Sequence, residues 1–327
     1  MKHVSILLPR GQSSLSNIEG THQILTMMNT LAEQQGRPPF FLVQLIGLEK
    51  EIPQASGSFK MYADLLIDEV DETDLIIIPA LHSDQSLALE LNKEFIPWIV
   101  DQHAKGAEVA SLCIGAFLLA ETGLLDGRKC TTHWTFMEEF KSRYPQCNLL
   151  PENIMTEDKG IYTSGGAYAY LSLIMYLIEK YAGREMAVLA SKMFSIDLNR
   201  NSQSPFIMFI GQKKHKDQEV LNVQEYIEGR YNQKITLAEL AEMASLSKRS
   251  LERRFKKATG NTVVEYVQRV RVEAAKKCLE TTPKNVNEVM YDVGYSDEKS
   301  FRSLFKRITG LSPVRYRNKY NHLYTGA

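Results

Sequence analysis

Two groups of residues have types and spacings suited to chemistry. The first is Cys113 in the run Glu108-Val-Ala-Ser-Leu-Cys113-Ile-Gly-Ala-Phe-Leu-Leu-Ala-Glu121. An apolar run ends at the cysteine and a Gly/Ala-rich helical pattern begins directly after it, which predicts a sharp strand-to-helix turn with the thiol at its apex. A thiol at a helix N-terminus is expected to favour the thiolate, because the dipole and free N–H groups stabilise negative charge. His133, twenty residues further on in Thr131-Thr-His-Trp134, is a candidate partner. Both readings of Cys113 stay open on spacing alone: an activated nucleophile, or a small buried hydrophobe.

The second group lies near the C-terminus and is built twice. Leu237, Leu240 and Ala241 match Val286, Val289 and Met290; Leu251, Phe255, Lys256, Thr259 and Gly260 match Phe301, Phe305, Lys306, Thr309 and Gly310. The one extra residue of the second copy falls in the turn at Gly294-Tyr295-Ser296. Each copy reads as a helix, a tight turn and a second helix, the latter begun by Ser247 or Asp297 as N-cap. The second helix puts Leu251 and Phe255, or Phe301 and Phe305, inward. Arg249, Arg253 and Lys257, or Lys299, Arg302 and Lys306, then face outward, as a helix-turn-helix reader of DNA requires. A solvated basic face on a helical bundle is the plainer alternative, and the second capped copy argues against it.

The elements that must position these groups follow from periodicity. Val4–Leu8, Phe40–Ile46, Leu75–Pro79, Val109–Leu112 and Ile161–Thr163 read as buried strands. Gly20–Gln34, Gln85–His103, Gly115–Thr122, Trp134–Arg143, Ala167–Tyr181 and Arg184–Phe194 read as helices between and after them. That alternation predicts a parallel sheet covered on both faces. Residues 211–218 are polar and predict a linker, giving an α/β domain over 1–210 and an all-α domain over 219–327.

Composition agrees. The chain has 327 residues, 24% charged and 44% hydrophobic, which suits two globular domains and excludes wholesale disorder. From Lys216 onward there are 21 Lys and Arg against 14 Asp and Glu, while the whole chain is balanced at 39 of each. Nucleic acid is therefore expected at the C-terminal domain alone. Cys113, Cys130, Cys147 and Cys278 are widely spaced without a CxxC pair, so reduced thiols and a cytoplasmic location are expected. No apolar stretch reaches the ~18 residues of a membrane span. No GxGxxG, P-loop or HExxH occurs, so neither cofactor nor metal is expected. His3, His82 and His103 read as surface residues, Trp98 and the Met27-Met28 pair as packing.

The stretch from Gly294 to Arg317 resembles the signature of AraC-type regulators, and about Val220 to Tyr320 is similar to their DNA-binding domain. The resemblance implies two sub-domains joined by a long helix, about Val263–Leu279. It implies base contacts from Arg249, Glu252 and Arg253 in one reader and from Glu298, Lys299 and Ser303, beside Arg302, in the other. Arginine suits guanine and glutamate suits cytosine, though both glutamates can instead steer neighbouring arginines. Lys256, Lys257, Lys306, Arg307, Arg315 and Arg317 are expected on phosphates.

Residues 1 to about 185 resemble the class I glutamine amidotransferase-like superfamily, in its PfpI branch. The residues that match are Ser-Leu-Cys113-Ile-Gly-Ala, Gly123-Leu-Leu-Asp-Gly-Arg128, Thr-Thr-His133-Trp and Tyr162-Thr-Ser-Gly-Gly-Ala167. With Ser202-Gln-Ser-Pro-Phe206 added, the combination is similar to GlxA-like bacterial regulators over nearly the whole chain. This implies a flavodoxin-like α/β sandwich and a pocket lined by Glu19, Ala80, Cys113, Ile114, His133, Trp134, Ala167 and Tyr168. The resemblance implies an acidic residue from the segment after the first strand near the cysteine, with Glu19 the nearest candidate; many relatives carry aspartate where this chain has Ser172, and Pro79-Ala80-Leu81 lacks the usual glycines. The expectation is a homodimeric transcription regulator that binds double-stranded DNA and senses a small-molecule effector. An active cysteine hydrolase with a DNA-binding tail is the alternative.

Overall fold

The computed structural model describes residues 1–54, 57–82, 84–198 and 202–321. The chain divides into two compact units, Met1–Gln203 and Ser204–Ala327. Unit one contains β1 (Lys2–Leu8), α1 (Leu15–Gln34), β2 (Phe41–Gly47), β3 (Glu51–Gln54), β4 (Phe59–Tyr62), β5 (Leu65–Leu66) and β6 (Leu75–Ile78). It continues with α2 (Gln85–Leu91), α3 (Phe95–Ala104), β7 (Glu108–Ser111), α4 (Ala116–Glu121), β8 (Lys129–Cys130) and α5 (Met137–Arg143). It ends with β9 (Asn148–Leu149), β10 (Met155–Asp158), β11 (Ile161–Ser164), α6 (Tyr170–Ala182) and α7 (Arg184–Met193).

Seven strands form one sheet in the order β10-β11-β7-β6-β1-β2-β5. All pairings are parallel except β10 with β11. Alternate residues of β1 serve opposite faces: Val4, Ile6 and Leu8 pack with α1, α6 and α7, whereas Leu7 packs with Ile76, Ile78, Phe95 and Phe117. A strand buried on both faces must be apolar throughout, which is why the sequence shows β1, β6 and β7 as continuous runs. The expected Gln85–His103 helix is broken at Asn92. Its buried side chain accepts from the Arg10 N–H (2.8 Å) and donates to the Arg10 and Ala88 carbonyls.

Unit two is helical: α8 (Gln218–Arg230), α9 (Leu237–Met243), α10 (Lys248–Thr259), α11 (Val263–Thr281), α12 (Val286–Asp292), α13 (Glu298–Thr309) and α14 (Pro313–Tyr320). Residues 211–218 are not the free linker that their polarity predicts. Gln212 bonds Gln224 and Asn261, Lys213 pairs with Glu228, His215 bonds Gln224, and Asp217 caps α8 while pairing with Arg254. The segment is polar because its partners are polar, and the division between units falls after Gln203 instead.

The two repeats fold alike. Ser247 accepts from the Ser250 N–H and Asp297 from the Ser300 N–H, and both α10 and α13 end at left-handed glycines, Gly260 and Gly310. Their turns differ at one position. Gly294 has φ +83°, and a Cβ there would fall 2.7 Å from the Asn232 carbonyl oxygen. Its counterpart Ser245 holds φ +51° with a Cβ in place. Left-handed backbone costs an L-residue roughly 1–2 kcal/mol, part of which glycine returns as unfolded-state entropy. Ser245→Gly should therefore stabilise unit two by up to about 1 kcal/mol, and Gly294→Ala should destabilise it by at least that much. Denaturant midpoints of the two variants check this; a lower midpoint for Ser245→Gly would contradict it.

Candidate functional site

Ala80, Cys113 and Ala167 follow the carboxyl ends of β6, β7 and β11, where α/β sheets bind ligands. Cys113 follows β7 with φ +56°, a strained value for a residue with a side chain, and is 3% exposed. The predicted elbow is present, but its expected thiolate is not. Burial pushes the Cys113 thiol up to about 12, opposed by the Ile114 N–H that donates to it. α4 starts only after Gly115 and runs six residues, so it offers the thiol little dipole.

Two backbone N–H groups near the elbow are engaged within the fold. The Cys113 N–H donates to Ser164 Oγ (3.3 Å), and the Ala80 N–H donates to the buried Asn17 side chain (3.2 Å). Ala80 and Ile114 are both buried, as packing and not as an open wall.

His133 sits on the neighbouring loop, tied to the elbow where Thr132 Oγ1 donates to the Cys113 carbonyl (3.0 Å). Its Nδ1 accepts from the Thr135 N–H (3.2 Å), which leaves the proton of the neutral ring on Nε2. Burial, with His82 nearby, holds the ring below its ordinary pKa. His133 is half-buried and stacks on Trp134 with ring centroids 5.6 Å apart. Among the described residues no hydrogen bond joins Cys113 to His133. Exposed Ala167 and Tyr168 follow Gly166, where a Cβ would lie 4.0 Å from His133 Cδ2.

Glu19 is not placed with the thiol. It is exposed on α1 and lines a separate groove of about 210 Å³ with Ser16, Gln23 and Tyr170. No carboxylate contributes to the Cys113 shift, and Ser172 adds none. His82, expected as a plain surface residue, is exposed but stands close enough to His133 to disfavour its charged form.

Gln203 was not legible as a site residue. Its side chain is 2% exposed, and its Oε1 accepts from the Gly166 N–H (3.0 Å). Its Nε2 donates to Thr131 Oγ1 (3.1 Å), the Thr132 carbonyl (3.2 Å) and the Pro151 carbonyl (3.0 Å). Gly165 makes room for it, since a Cβ there would fall 2.4 Å from Gln203 Oε1. One amide thus fixes the His133 loop and the Ala167 turn together. The Ser202-Gln-Ser-Pro-Phe206 resemblance marked the segment and gave no role.

In unit two, Arg249, Arg253, Lys256 and Lys257 are exposed on α10, and Lys299, Arg302, Ser303, Lys306 and Arg307 on α13. Glu252 is half-buried, while Glu298 pairs with Arg302 at 2.7 Å, the steering role weighed above. Among the described residues Arg249, Arg253, Lys256, Lys257, Lys299, Lys306 and Arg315 form no ion pair, so these cations are free for an anionic partner. Arg307 donates to Gln268. Arg317 corrects the expectation of a phosphate contact. It is 9% exposed and donates to the Lys284 carbonyl, bracing the loop before α12. Arg254, not singled out by sequence, pairs with Asp217 and Glu219.

Comparison with known proteins fits both halves. Residues 6–180 match the DJ-1/PfpI family and residues 240–319 a helix-turn-helix domain family. The chain is 26% identical over 263 residues to the HTH-type transcriptional regulator GbdR of Pseudomonas aeruginosa, covering 79% of this chain and 70% of that one. It is 27% identical over 218 residues to the HTH-type transcriptional regulator GlxA of Rhizobium meliloti, covering 65% and 66%. A crystal structure of a candidate transcriptional regulator from Vibrio parahaemolyticus superposes with TM-score 0.53 at 24% identity, over 59% of this chain and 98% of that one, and shares the fold.

The buried thiol yields a direct expectation. With its pKa near 12, Cys113 should be alkylated by iodoacetamide far more slowly than a free cysteine at neutral pH. The rate should rise about tenfold per pH unit from pH 7 to 9. Rapid labelling at pH 7 that levels off below pH 8, mapped to Cys113 by mass spectrometry, would contradict it.

Proposed function

The chain belongs to the DJ-1/PfpI family and carries an AraC-type helix-turn-helix domain behind that fold, and on that premise we propose a DNA-binding transcription regulator whose Cys113 pocket senses a small molecule without turning it over. The observation that carries the DNA reading is the duplicated, capped helix with unpaired cations outward. α10 and α13 enter successive major grooves on one face of the duplex, and α11 joins the two sub-domains. Arg249 and Arg253 read bases, while Lys256, Lys257, Lys306 and Arg315 hold phosphates.

Sensing is favoured over catalysis by the same partners that stabilise the pocket. A nucleophile needs a deprotonated sulfur, a base in contact with it and free donors for the oxyanion. Here the thiol is held protonated, His133 is bonded elsewhere, and the Cys113 and Ala80 N–H groups are occupied. A ligand alters DNA binding only by favouring one arrangement of the protein over another. In a homodimer that arrangement is the spacing of paired DNA-binding units.

For DNA, Arg249→Ala or Arg253→Ala should cost about 1–3 kcal/mol at one half of the site, while Lys306→Ala should weaken all sequences alike and flatten the salt dependence. Fluorescence-anisotropy titrations at several salt concentrations separate these outcomes. Specific binding left intact by the Arg249/Arg253 double replacement would remove α10 as a reader.

For the pocket, Cys113→Ala should leave operator affinity of the unliganded protein unchanged. Amide and glyoxal-type substrates should show no multiple turnover that depends on Cys113. Sustained turnover abolished by Cys113→Ala would make the protein an enzyme.

A further inference from the structure

The sequence separates the four cysteines, but the fold brings two of them together. Cys130 ends β8 and is buried; Cys147 directly precedes β9 and is half-buried. The two strands pair in parallel, with Lys129 opposite Asn148 and Cys130 opposite Leu149. Asp126 bridges Cys147, and the Leu150 N–H donates to the Cys130 carbonyl at 2.7 Å. Both side chains pack into the apolar cluster that holds Phe117, Leu125 and Phe140, where each thiol shifts the other's protonation. They are free thiols in this structure.

We propose that Cys130 and Cys147 are a reversible redox site, which a hydroperoxide converts from dithiol to intramolecular disulfide. This goes beyond the DNA-binding and sensing roles and does not depend on them. Cys147 Sγ attacks one peroxide oxygen and the O–O bond breaks. The departing hydroxide takes the Cys147 proton to become water, leaving a sulfenic acid. Cys130 Sγ then attacks the sulfenic sulfur, the S–S bond forms and the S–O bond breaks. The second hydroxide leaves as water with the Cys130 proton. Two thiols thereby lose two electrons and two protons, and one hydrogen peroxide is reduced to two waters.

The order of attack follows from the pair's asymmetry. Cys147 is the more exposed of the two, and the neighbouring Cys130 thiol holds its thiol below the ordinary range. Cys130, buried and pushed up by the same contact, resolves the intermediate. The closed loop would contain His133, Trp134 and α5, so oxidation would stiffen one wall of the Cys113 pocket. Cys113 itself, buried in apolar surroundings with its thiol at about 12, is spared.

The test is peptide mapping of the full-length protein after stoichiometric hydrogen peroxide, with remaining thiols blocked by N-ethylmaleimide before digestion. A single Cys130–Cys147 linked peptide is expected, with Cys113 and Cys278 blocked as thiols and the link reversed by dithiothreitol. Cys130→Ser should leave a sulfenic acid that dimedone traps at Cys147, and Cys147→Ser should abolish both products. Four blocked thiols after peroxide treatment, a disulfide through Cys113 or Cys278, or dimedone capture at Cys113 in place of Cys147 would overturn the proposal.

Discussion

Burying an unpartnered backbone N–H costs on the order of 1–3 kcal/mol, and the carboxyl end of the sheet is organised by that cost. The Cys113 N–H finds Ser164, the Ala80 N–H finds Asn17 and the Gly166 N–H finds Gln203. The first of these bonds lies in the elbow itself, where Cys113 holds φ +56°. The elbow keeps the outline of a nucleophile turn while its polar groups serve the fold. Gln203 extends the same logic to the loops. Its amide satisfies the Pro151 and Thr132 carbonyls along with Gly166, and so sets where His133 and Ala167 stand.

Unit two obeys the opposite arrangement at its surface. Charges that brace the fold are paired: Arg254 with Asp217 and Glu219, Lys276 with Glu273, Arg317 with the Lys284 carbonyl. Arg271 donates to the Tyr231, Gln233 and Gly294 carbonyls and pins the turn of the second repeat to the loop after α8. Among the described residues Arg249, Arg253, Lys256, Lys257, Lys299, Lys306 and Arg315, the cations proposed to face DNA, form no ion pair, unlike Arg302, which pairs with Glu298. Releasing counterions from DNA phosphates then adds affinity with little internal bonding to break.

How much of this the sequence shows depends on the range of the interaction. β1, β2, β6, β7 and β11 are visible as apolar runs, and the double repeat as seams with matched caps, because burial and capping act over a few residues. β3, β5, β8, β9 and β10 span two to four residues each and leave no periodic trace. The errors lie where polar residues meet partners far along the chain. Gln212 and Lys213 look like linker until Asn261 and Glu228 are beside them. Arg317 looks like a phosphate clamp until the Lys284 carbonyl is in place. Cys113 shows its turn in sequence and conceals its burial, which decides its protonation, and Cys130 with Cys147 becomes a pair only through β8 and β9.

A protein that reads DNA through two equivalent helices must leave two equivalent marks. Hydroxyl-radical footprinting of the full-length protein, on DNA selected by it from a random pool, records them directly. Two protected patches per chain are predicted on one face of the duplex, about 34 Å or one helical turn apart and within roughly 20 base pairs. A single patch, or a pool that yields no preferred sequence, would contradict the assignment of α10 and α13 as readers.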